Sequence, residues 1–236
     1  NGHTTTTITR NSRGHRRKTC VRRTTSSHND PASTKTRMPT YASEAGMFQY
    51  LSMTVSVLLL GGECTGKTTL ADGLSQALRG SRCERPVTIV PEVVRDFVAW
   101  SQRLPAQNEQ EEILRTQQRL LDDAVAASPT DGVVICDPAP IMTAVYSLQY
   151  FNDNSLVASA LARMGCAAER SRTLVVWCSP DIPWQADGIQ REGPQARART
   201  HELIETQVVP AIAPLPGVVS LGTLADRVAQ LLPRLT

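Results

Sequence analysis

A lysine and two threonines follow a glycine-rich stretch, and this combination suits the binding of nucleotide phosphates. The stretch, VLLLGGECTGKTTLADGL, spans residues 57–74. Its spacing matches the P-loop pattern G-x-x-x-x-G-K-[ST], with an apolar run before it and a helical pattern after it. In such a loop, backbone N–H groups and the start of the helix attract phosphate oxygens. We therefore predict that the loop holds a nucleoside triphosphate.

Each part of this loop has an expected role in binding. The glycines allow a tight turn, Lys67 would reach the β- and γ-phosphates, and the hydroxyl of Thr68 would be a ligand of Mg²⁺. The loop alone leaves open which reaction the nucleotide serves. The predicted nucleotide contacts are Gly61, Gly62, Glu63, Cys64, Thr65, Gly66, Lys67, Thr68 and Thr69.

A carboxylate at Asp137 is the second feature with chemical potential. It directly follows the apolar run of residues 133–136, where a parallel sheet would present its C-terminal edge. P-loop enzymes usually need a carboxylate there to manage Mg²⁺, so we predict that Asp137 shares the metal with Thr68. The alternative is that Asp137 only begins a turn before Pro138, which is a common role for aspartate.

Glu92 and Arg95 form a third candidate pair, in the stretch VTIVPEVVRDFV. A carboxylate at the end of the second strand could take the proton of an attacking hydroxyl, and an arginine could bind transition-state charge. The same spacing also describes an exposed i, i+3 ion pair at the start of a helix. The sequence favours neither interpretation.

The stretch CSPDIPWQADGIQREGPQARART, residues 178–200, has no apolar stripe and is rich in charge. A mobile, arginine-bearing segment that closes over phosphates would have this composition. A solvated loop leading into a helix near Ala198 would have it too, and composition alone favours that loop. Its charged residues are Asp181, Asp187, Arg191, Glu192, Arg197 and Arg199.

The pattern from residue 54 onwards predicts an α/β fold. Short, continuous apolar runs alternate with amphipathic stretches, as in a parallel sheet that is covered on both faces. The predicted strands are Val55–Leu60, Val87–Val90, Val133–Cys136, Leu174–Trp177 and Val218–Leu221.

Apolar spacing and capping residues predict the helices. One carries Leu70, Leu74 and Leu78, and one runs from Asn154 to Met164 and ends at Gly165. Another begins at the acidic residues 109–112. A last helix is capped by Thr223. The apolar face of the acidic helix should consist of Ile113, Leu114, Leu120, Leu121 and Val125, and that of the last helix of Leu224, Val228 and Leu231.

Charge divides the chain into two predicted parts. Residues 1–50 carry nine Lys/Arg and two acidic residues, whereas residues 51–236 carry 16 basic and 20 acidic residues. We predict a disordered basic extension at 1–50 and a folded domain at 54–236, although a targeting or nucleic-acid-binding segment has a similar composition. Because the basic excess belongs to the extension, no nucleic-acid partner is predicted for the folded part.

Cysteine usage and hydropathy bear on the cellular setting. The six cysteines form no C-x-x-C pair and have no histidine at metal-ligand spacing, which favours the reducing cytoplasm over a disulfide framework or a zinc site. Apolar runs such as Val57–Leu60 are too short to span a bilayer, so no membrane partner is expected.

Four segments together resemble the NadR-like P-loop family. They are GGECTGKTTL, VPEVVRDF, ICDPAPIMTAVYSLQYF and DIPWQADGIQREGPQAR, in this order, and the resemblance covers residues 54–236. The family includes the ribosylnicotinamide kinase part of the bacterial NAD-regulating protein and AAA-type single-domain relatives described only as ATPases. The P-loop is common to many families, whereas the block D-[IV]-P-W-x-x-D-G is more specific and is matched at residues 181–188.

The resemblance implies a kinase-type P-loop NTPase with a five-stranded parallel sheet and helices on both faces. It implies transfer of the γ-phosphate of ATP, with Mg²⁺, to the 5′-hydroxyl of nicotinamide riboside. The implied catalytic residues are Lys67, Asp137, Glu92 and Arg191, and Thr68 and Asp137 are the metal ligands. The implied substrate-binding residues are Glu92, Arg95, Asp181, Trp184 and Asp187.

Two departures from the family pattern keep other functions open. Cys64 occupies a P-loop position that is usually serine, and Pro138-Ala139 stands where many kinase members have Thr-Asp. A kinase for another nucleoside, or a regulatory ATPase or GTPase with slow hydrolysis, therefore remains an alternative. The residues also leave open whether Glu92 or Asp137 is the base. No convincing N-K-x-D motif indicates guanine specificity.

Overall fold

A computed structural model describes residues 54–80, 84–186, 193–213 and 215–236, which form a five-stranded parallel sheet. The strands are β1 (Val55–Leu60), β2 (Val87–Val90), β3 (Val133–Cys136), β4 (Arg172–Cys178) and β5 (Gly217–Ser220). Their order in the sheet is β2-β3-β1-β4-β5. This confirms the predicted α/β class and its parallel sheet.

Helices connect successive strands and cover both faces of the sheet. A 3₁₀ turn lies at Gln107–Glu109, and a π-helical turn lies at Ile204–Val208. The helices are α1 (Lys67–Arg79), α2 (Val93–Ser101), α3 (Gln110–Ala127), α4 (Ile141–Phe151), α5 (Ser155–Arg170), α6 (Pro194–Leu203) and α7 (Leu224–Leu235).

The central strand β1 is buried along its whole length, because helices pack on both of its faces. Leu58 and Leu60 belong to the apolar cluster that includes residues of α3, α4 and α5. Val57 and Leu59 belong to the opposite cluster, which includes residues of α1 and α7. Alternate residues of a strand point to opposite faces, so a continuous apolar run is what two covered faces require.

Local signals account for the positions of several helices. The side chain of Thr223 accepts a hydrogen bond from the backbone N–H of Asp226 at 3.3 Å, which confirms the predicted cap of α7. A helix begins near Ala198 as expected, at Pro194. Among the described residues, no helix is both long and apolar enough to cross a membrane.

Three details of the predicted helices were wrong. Helix α5 continues through Gly165 to Arg170, because an interior glycine costs a helix only about 1 kcal/mol and no left-handed turn is required there. Leu120 is 37% exposed, so it lies off the buried face of α3 that Ile113 and Leu121 share. Leu224 at the first turn of α7 is also 42% exposed.

Candidate active site

The glycine-rich loop joins β1 to α1 at the C-terminal edge of the sheet, as its sequence context predicts. Gly61 has a φ of 147°, and a Cβ at this position would lie 2.6 Å from Thr65 Oγ1. Gly66 has a φ of 77°, which is left-handed and immediately precedes α1. These two positions therefore require glycine. The loop is closed internally by Thr65 Oγ1, which donates to the carbonyl of Gly62 at 2.9 Å.

Lys67 places its ammonium group inside the turn of this loop. Its Nζ donates to the carbonyl oxygens of Gly61 at 2.9 Å and Gly62 at 2.8 Å, and the residue is only 9% exposed. The first N–H groups of α1 lack helical partners, as at the start of any helix. A fixed positive charge next to those donors makes a site for an anion.

Four predicted residues from three elements meet beside the loop. The hydroxyl of Thr68 donates to Asp137 Oδ2 at 2.6 Å. Arg95 Nη2 donates to the same hydroxyl at 3.3 Å, and Arg95 Nε donates to Glu92 Oε2 at 2.8 Å. Glu92 and Arg95 thus form the i, i+3 ion pair that the sequence allowed. The pair is also linked to the P-loop, so the two interpretations do not exclude each other.

The donor set of Thr68 and Asp137 fits Mg²⁺ that arrives with a nucleotide. Both groups supply oxygen, and Mg²⁺ is usually held by one or two carboxylates together with phosphates and water. Asp137 is 6% exposed at the end of β3, next to β1 in the sheet. Among the described residues, no cluster of three or more acidic, histidine or cysteine groups could hold a metal ion. The two oxygen donors leave coordination positions for the phosphates and waters that Mg²⁺ also takes.

The segment after β4 contacts the P-loop at Glu63 and Cys64. Glu63 Oε1 accepts hydrogen bonds from Trp184 Nε1 at 3.4 Å and from the N–H of Gly193 at 3.0 Å. The N–H of Gln185 donates to Cys64 Sγ at 3.2 Å. Glu63 was predicted as a nucleotide contact, and the structure shows that its carboxylate holds Trp184 beside the loop.

Asp181 contacts α7 through Arg227. Its carboxylate pairs with Arg227 and accepts a hydrogen bond from the N–H of Gly222 at 2.5 Å. Arg227 is 3% exposed and also donates to the carbonyl of Thr65 at 2.7 Å. Both carboxylate oxygens of Asp181 are therefore occupied by contacts that fix α7 to the loop. The predicted residues Asp187 and Arg191 lie outside the described residues.

Several residues near the site were not identified from the sequence. Gln117 is the clearest case, because its Oε1 accepts from the N–H of Val93 at 2.9 Å while its Nε2 donates to the carbonyl of Pro91 at 2.9 Å. It therefore clamps both peptide groups that flank Glu92. A signal was available, since Gln117 lies midway between the apolar residues Ile113 and Leu121, at the spacing of one helix face.

Two tyrosines of α4 form an aromatic surface near the carboxylates. The rings of Tyr146 and Tyr150 are stacked, with centroids 6.2 Å apart. The pKa of Tyr146 is raised well above its usual value, first by burial and then by neighbouring acidic groups that include Glu92. The phenol is therefore neutral at physiological pH. It lies close enough to the carboxylates of Glu92, Glu63 and Asp137 for their charges to act on it.

His201 of α6 contacts the P-loop at Gly62. The N–H of Gly62 points at its Nε2 at 3.4 Å, and Trp177 Nε1 points at its Nδ1 at 3.1 Å. Burial lowers the pKa of His201 to about 4, with further contributions from the charges of Lys67 and Arg197. The imidazole is therefore neutral at physiological pH.

Known structures share this architecture at low sequence identity. A structure of NadR protein in complex with NR is 21% identical, with a TM-score of 0.57 over 80% of this chain and 52% of that chain. A structure of NadR protein in complex with NAD and AMP-PNP is 20% identical, with a TM-score of 0.55 over 80% of this chain and 50% of that chain. This chain therefore spans about half the length of those NadR proteins.

A smaller enzyme matches over nearly its whole length. Thymidylate kinase from Ehrlichia chaffeensis is 14% identical, with a TM-score of 0.51 over 78% of this chain and 98% of that chain. Together these likenesses establish the fold of a P-loop kinase. A comparison with curated protein sequences finds no match. The model of the AAA domain family matches residues 56–218, which is more than half of the chain. The chain therefore belongs to the AAA domain family.

Proposed function

We propose that this protein transfers the γ-phosphate of ATP to a hydroxyl group of a small nucleoside, and that the acceptor is nicotinamide riboside. The observation that carries the proposal is the chain of contacts from Asp137 through Thr68 and Arg95 to Glu92. It joins a nucleotide-binding loop to a second carboxylate that has no part in the loop. A pure nucleotide-binding module has no need of such a group, whereas a phosphotransferase needs one to orient its acceptor.

The phosphate side of the site would be formed by the P-loop. Its backbone N–H groups and Lys67 would bind the β- and γ-phosphates, and Thr68 and Asp137 would hold Mg²⁺. The metal would supply charge neutralisation between the phosphates when it is bound. Lys67 already lies within the loop, so little side-chain reorganisation is required.

The acceptor side would be formed by Glu92, Arg95 and the aromatic residues nearby. Glu92 is our preferred base, since Asp137 contacts Thr68 and is assigned with it to the metal, whereas Glu92 pairs with Arg95. Arg95 is half exposed and could turn to a phosphate or to the acceptor. Trp184, held by Glu63, and the stacked pair of Tyr146 and Tyr150 would supply aromatic surface for the acceptor. Asp187 and Arg191 remain predicted contributors from the sequence.

A regulatory ATPase or GTPase with slow hydrolysis is the second candidate, and one observation favours it. The side chain of Ala139 is fully buried in the apolar cluster, at the position where many kinase members of the NadR-like family have a second acidic residue. Its N–H is bonded to the carbonyl of Leu59 at 2.9 Å, which fixes this turn against β1. With one carboxylate fewer near the metal, slow hydrolysis without an acceptor would be a natural activity.

The experiment that separates these functions is ADP release by the full chain with Mg-ATP, with and without nicotinamide riboside. A panel of common nucleosides runs in parallel, and mass spectrometry identifies the product. We expect the riboside to stimulate release strongly and to gain one phosphate. Stimulation by another nucleoside would replace the acceptor and keep the mechanism. A slow rate of ADP release that no acceptor changes would contradict the kinase proposal and favour the regulatory ATPase.

A further inference from the structure

His201 is buried between two hydrogen-bond donors, and this arrangement has a chemical consequence. The side chain is 7% exposed, and its ring stacks on Trp177 with centroids 6.0 Å apart. Nδ1 faces Trp177 Nε1 at 3.1 Å, and Nε2 faces the N–H of Gly62 at 3.4 Å. Both neighbours can only donate, because an indole N–H and a backbone N–H have no lone pair to offer.

A neutral imidazole can satisfy only one of these donors at a time. It carries one N–H and one lone pair in the plane of the ring, on different nitrogens. If Nδ1 accepts from Trp177, the proton is on Nε2 and faces the N–H of Gly62. If Nε2 accepts from Gly62, the proton is on Nδ1 and faces Trp177. A charged imidazole would accept neither, and the nearby positive charges of Lys67 and Arg197 oppose that form.

Helix α6 gives Gly62 little freedom to avoid this competition. A Cβ on Gly62 would lie 3.2 Å from Thr200 Cβ and 3.3 Å from the carbonyl oxygen of Arg197, so the helix packs directly on the loop backbone. Gly62 is itself buried. Its N–H therefore depends on Nε2 for an acceptor, and a buried donor without one is unfavourable.

We propose that His201 is a positioning residue of the P-loop, and that Gly62 and Trp177 compete for its one lone pair. When Nε2 accepts from Gly62, the first turn of the loop is held in the conformation that receives phosphates. When Trp177 takes the lone pair, that turn is held less firmly. The shorter contact indicates that Trp177 has the advantage in this structure. The inference rests on the nucleotide-binding part of the proposed function and is independent of the acceptor.

The competition predicts effects of opposite sign for two substitutions. His201→Leu removes the acceptor and should weaken binding of Mg-AMP-PNP by about tenfold, as expected for a lost buried hydrogen bond. Trp177→Phe keeps an aromatic ring but removes the competing N–H, so binding should become tighter by about threefold. Isothermal titration of the full chain measures both affinities. Glu202→Gln, an exposed change on the same helix, is the matched control and should bind as the original chain does.

The position of the ring proton provides a second readout. The chain has four histidines, and His201 is the one that remains when His3, His15 and His28 are replaced by glutamine. ¹⁵N NMR of that labelled full-length chain should show a neutral ring at pH 7 with its proton on Nε2. In the Trp177→Phe background the proton should move to Nδ1.

Each result decides for or against the inference. Unchanged binding by His201→Leu would overturn it, and so would Trp177→Phe binding as weakly as His201→Leu, which would indicate a packing role only. A charged ring at pH 7, or a proton that stays on Nε2 in Trp177→Phe, would also overturn it. Should the original chain bind no AMP-PNP at all, the proposed function fails. The two NMR spectra of the nucleotide-free protein then decide this inference alone.

Discussion

The hydroxyl of Thr68 joins the two halves of the candidate site, because it is donor to Asp137 and acceptor from Arg95. A hydroxyl can do both at once, whereas neither a carboxylate nor an ammonium group can. Lys67 and Thr68 are consecutive in the chain but face different partners. We therefore expect phosphate binding and the proposed orientation of an acceptor to respond separately to single substitutions.

Lys67 is the only lysine in residues 54–236, so an amine-reactive reagent can label this position of the domain selectively. Lys67→Ala should abolish phosphate transfer, with a loss of at least about 100-fold, because the loop loses its one ammonium group. ADP release measures this loss. Labelling of the original chain with an amine reagent should be reduced by Mg-ATP at Lys67 and unchanged at Lys18 and Lys35. A variant with near-normal turnover would contradict the role of the loop.

The two carboxylates should give different kinetic defects. Glu92→Gln should lower kcat by about 100-fold or more and leave Mg-AMP-PNP binding intact, because the base is lost but the metal side is preserved. Asp137→Asn should weaken nucleotide binding in Mg²⁺ as well. Steady-state kinetics and titration of the analogue measure the two effects. If Asp137→Asn alone lost kcat while Glu92→Gln kept it, the assignment of the base would be reversed.

At the scale of elements, α3 controls the turn that carries Glu92. Gln117 is 2% exposed and bonds to the peptide groups on both sides of that residue. An amide is well suited to this, since it offers an acceptor and a donor on one rigid group. The position of Glu92 is therefore set by a helix that is separate from the P-loop and from α2.

Gln117→Leu should impair transfer to the acceptor and spare nucleotide binding. We expect kcat/KM for the acceptor to fall by about tenfold, because two buried backbone groups lose their partner and the turn shifts. Gln118→Leu is the matched control: Gln118 is 3% exposed on the same helix but bonds to Asp122 instead. Equal losses in the two variants would indicate a general effect of burying leucine there.

The sequence predicted the elements well and their cross-connections poorly. Strands β1, β2 and β3 have the predicted bounds, because a short, continuous apolar run between turn residues is typical of a strand that is buried on both faces. Thr68 and Asp137 could be paired in advance, since the loop after β1 and the end of β3 lie at the same edge of one sheet. The ion pair of Asp181 with Arg227 could not, because it depends on how α7 packs against the loop.

At the scale of the whole molecule, the buried His201 makes stability depend on pH. The unfolded chain would protonate His201 near its ordinary pKa of 6.5, whereas the folded protein does so only near 4. Its contribution to stability is therefore complete above pH 6.5 and is lost progressively as the pH falls to 4. Urea unfolding midpoints should fall more between pH 7 and 4 for the original chain than for His201→Leu. Equal slopes would show that other groups account for the acid sensitivity.

The P-loop is held in place by residues far along the chain, and this affects when it can form during synthesis. Thr65 is fixed by Arg227, 162 residues further along, and Glu63 by Gly193, 130 residues further along. A ribosome releases the loop long before it releases α7, and contacts of such long sequence separation form late. We therefore expect the nascent chain to become able to retain a nucleotide only when α7 has emerged.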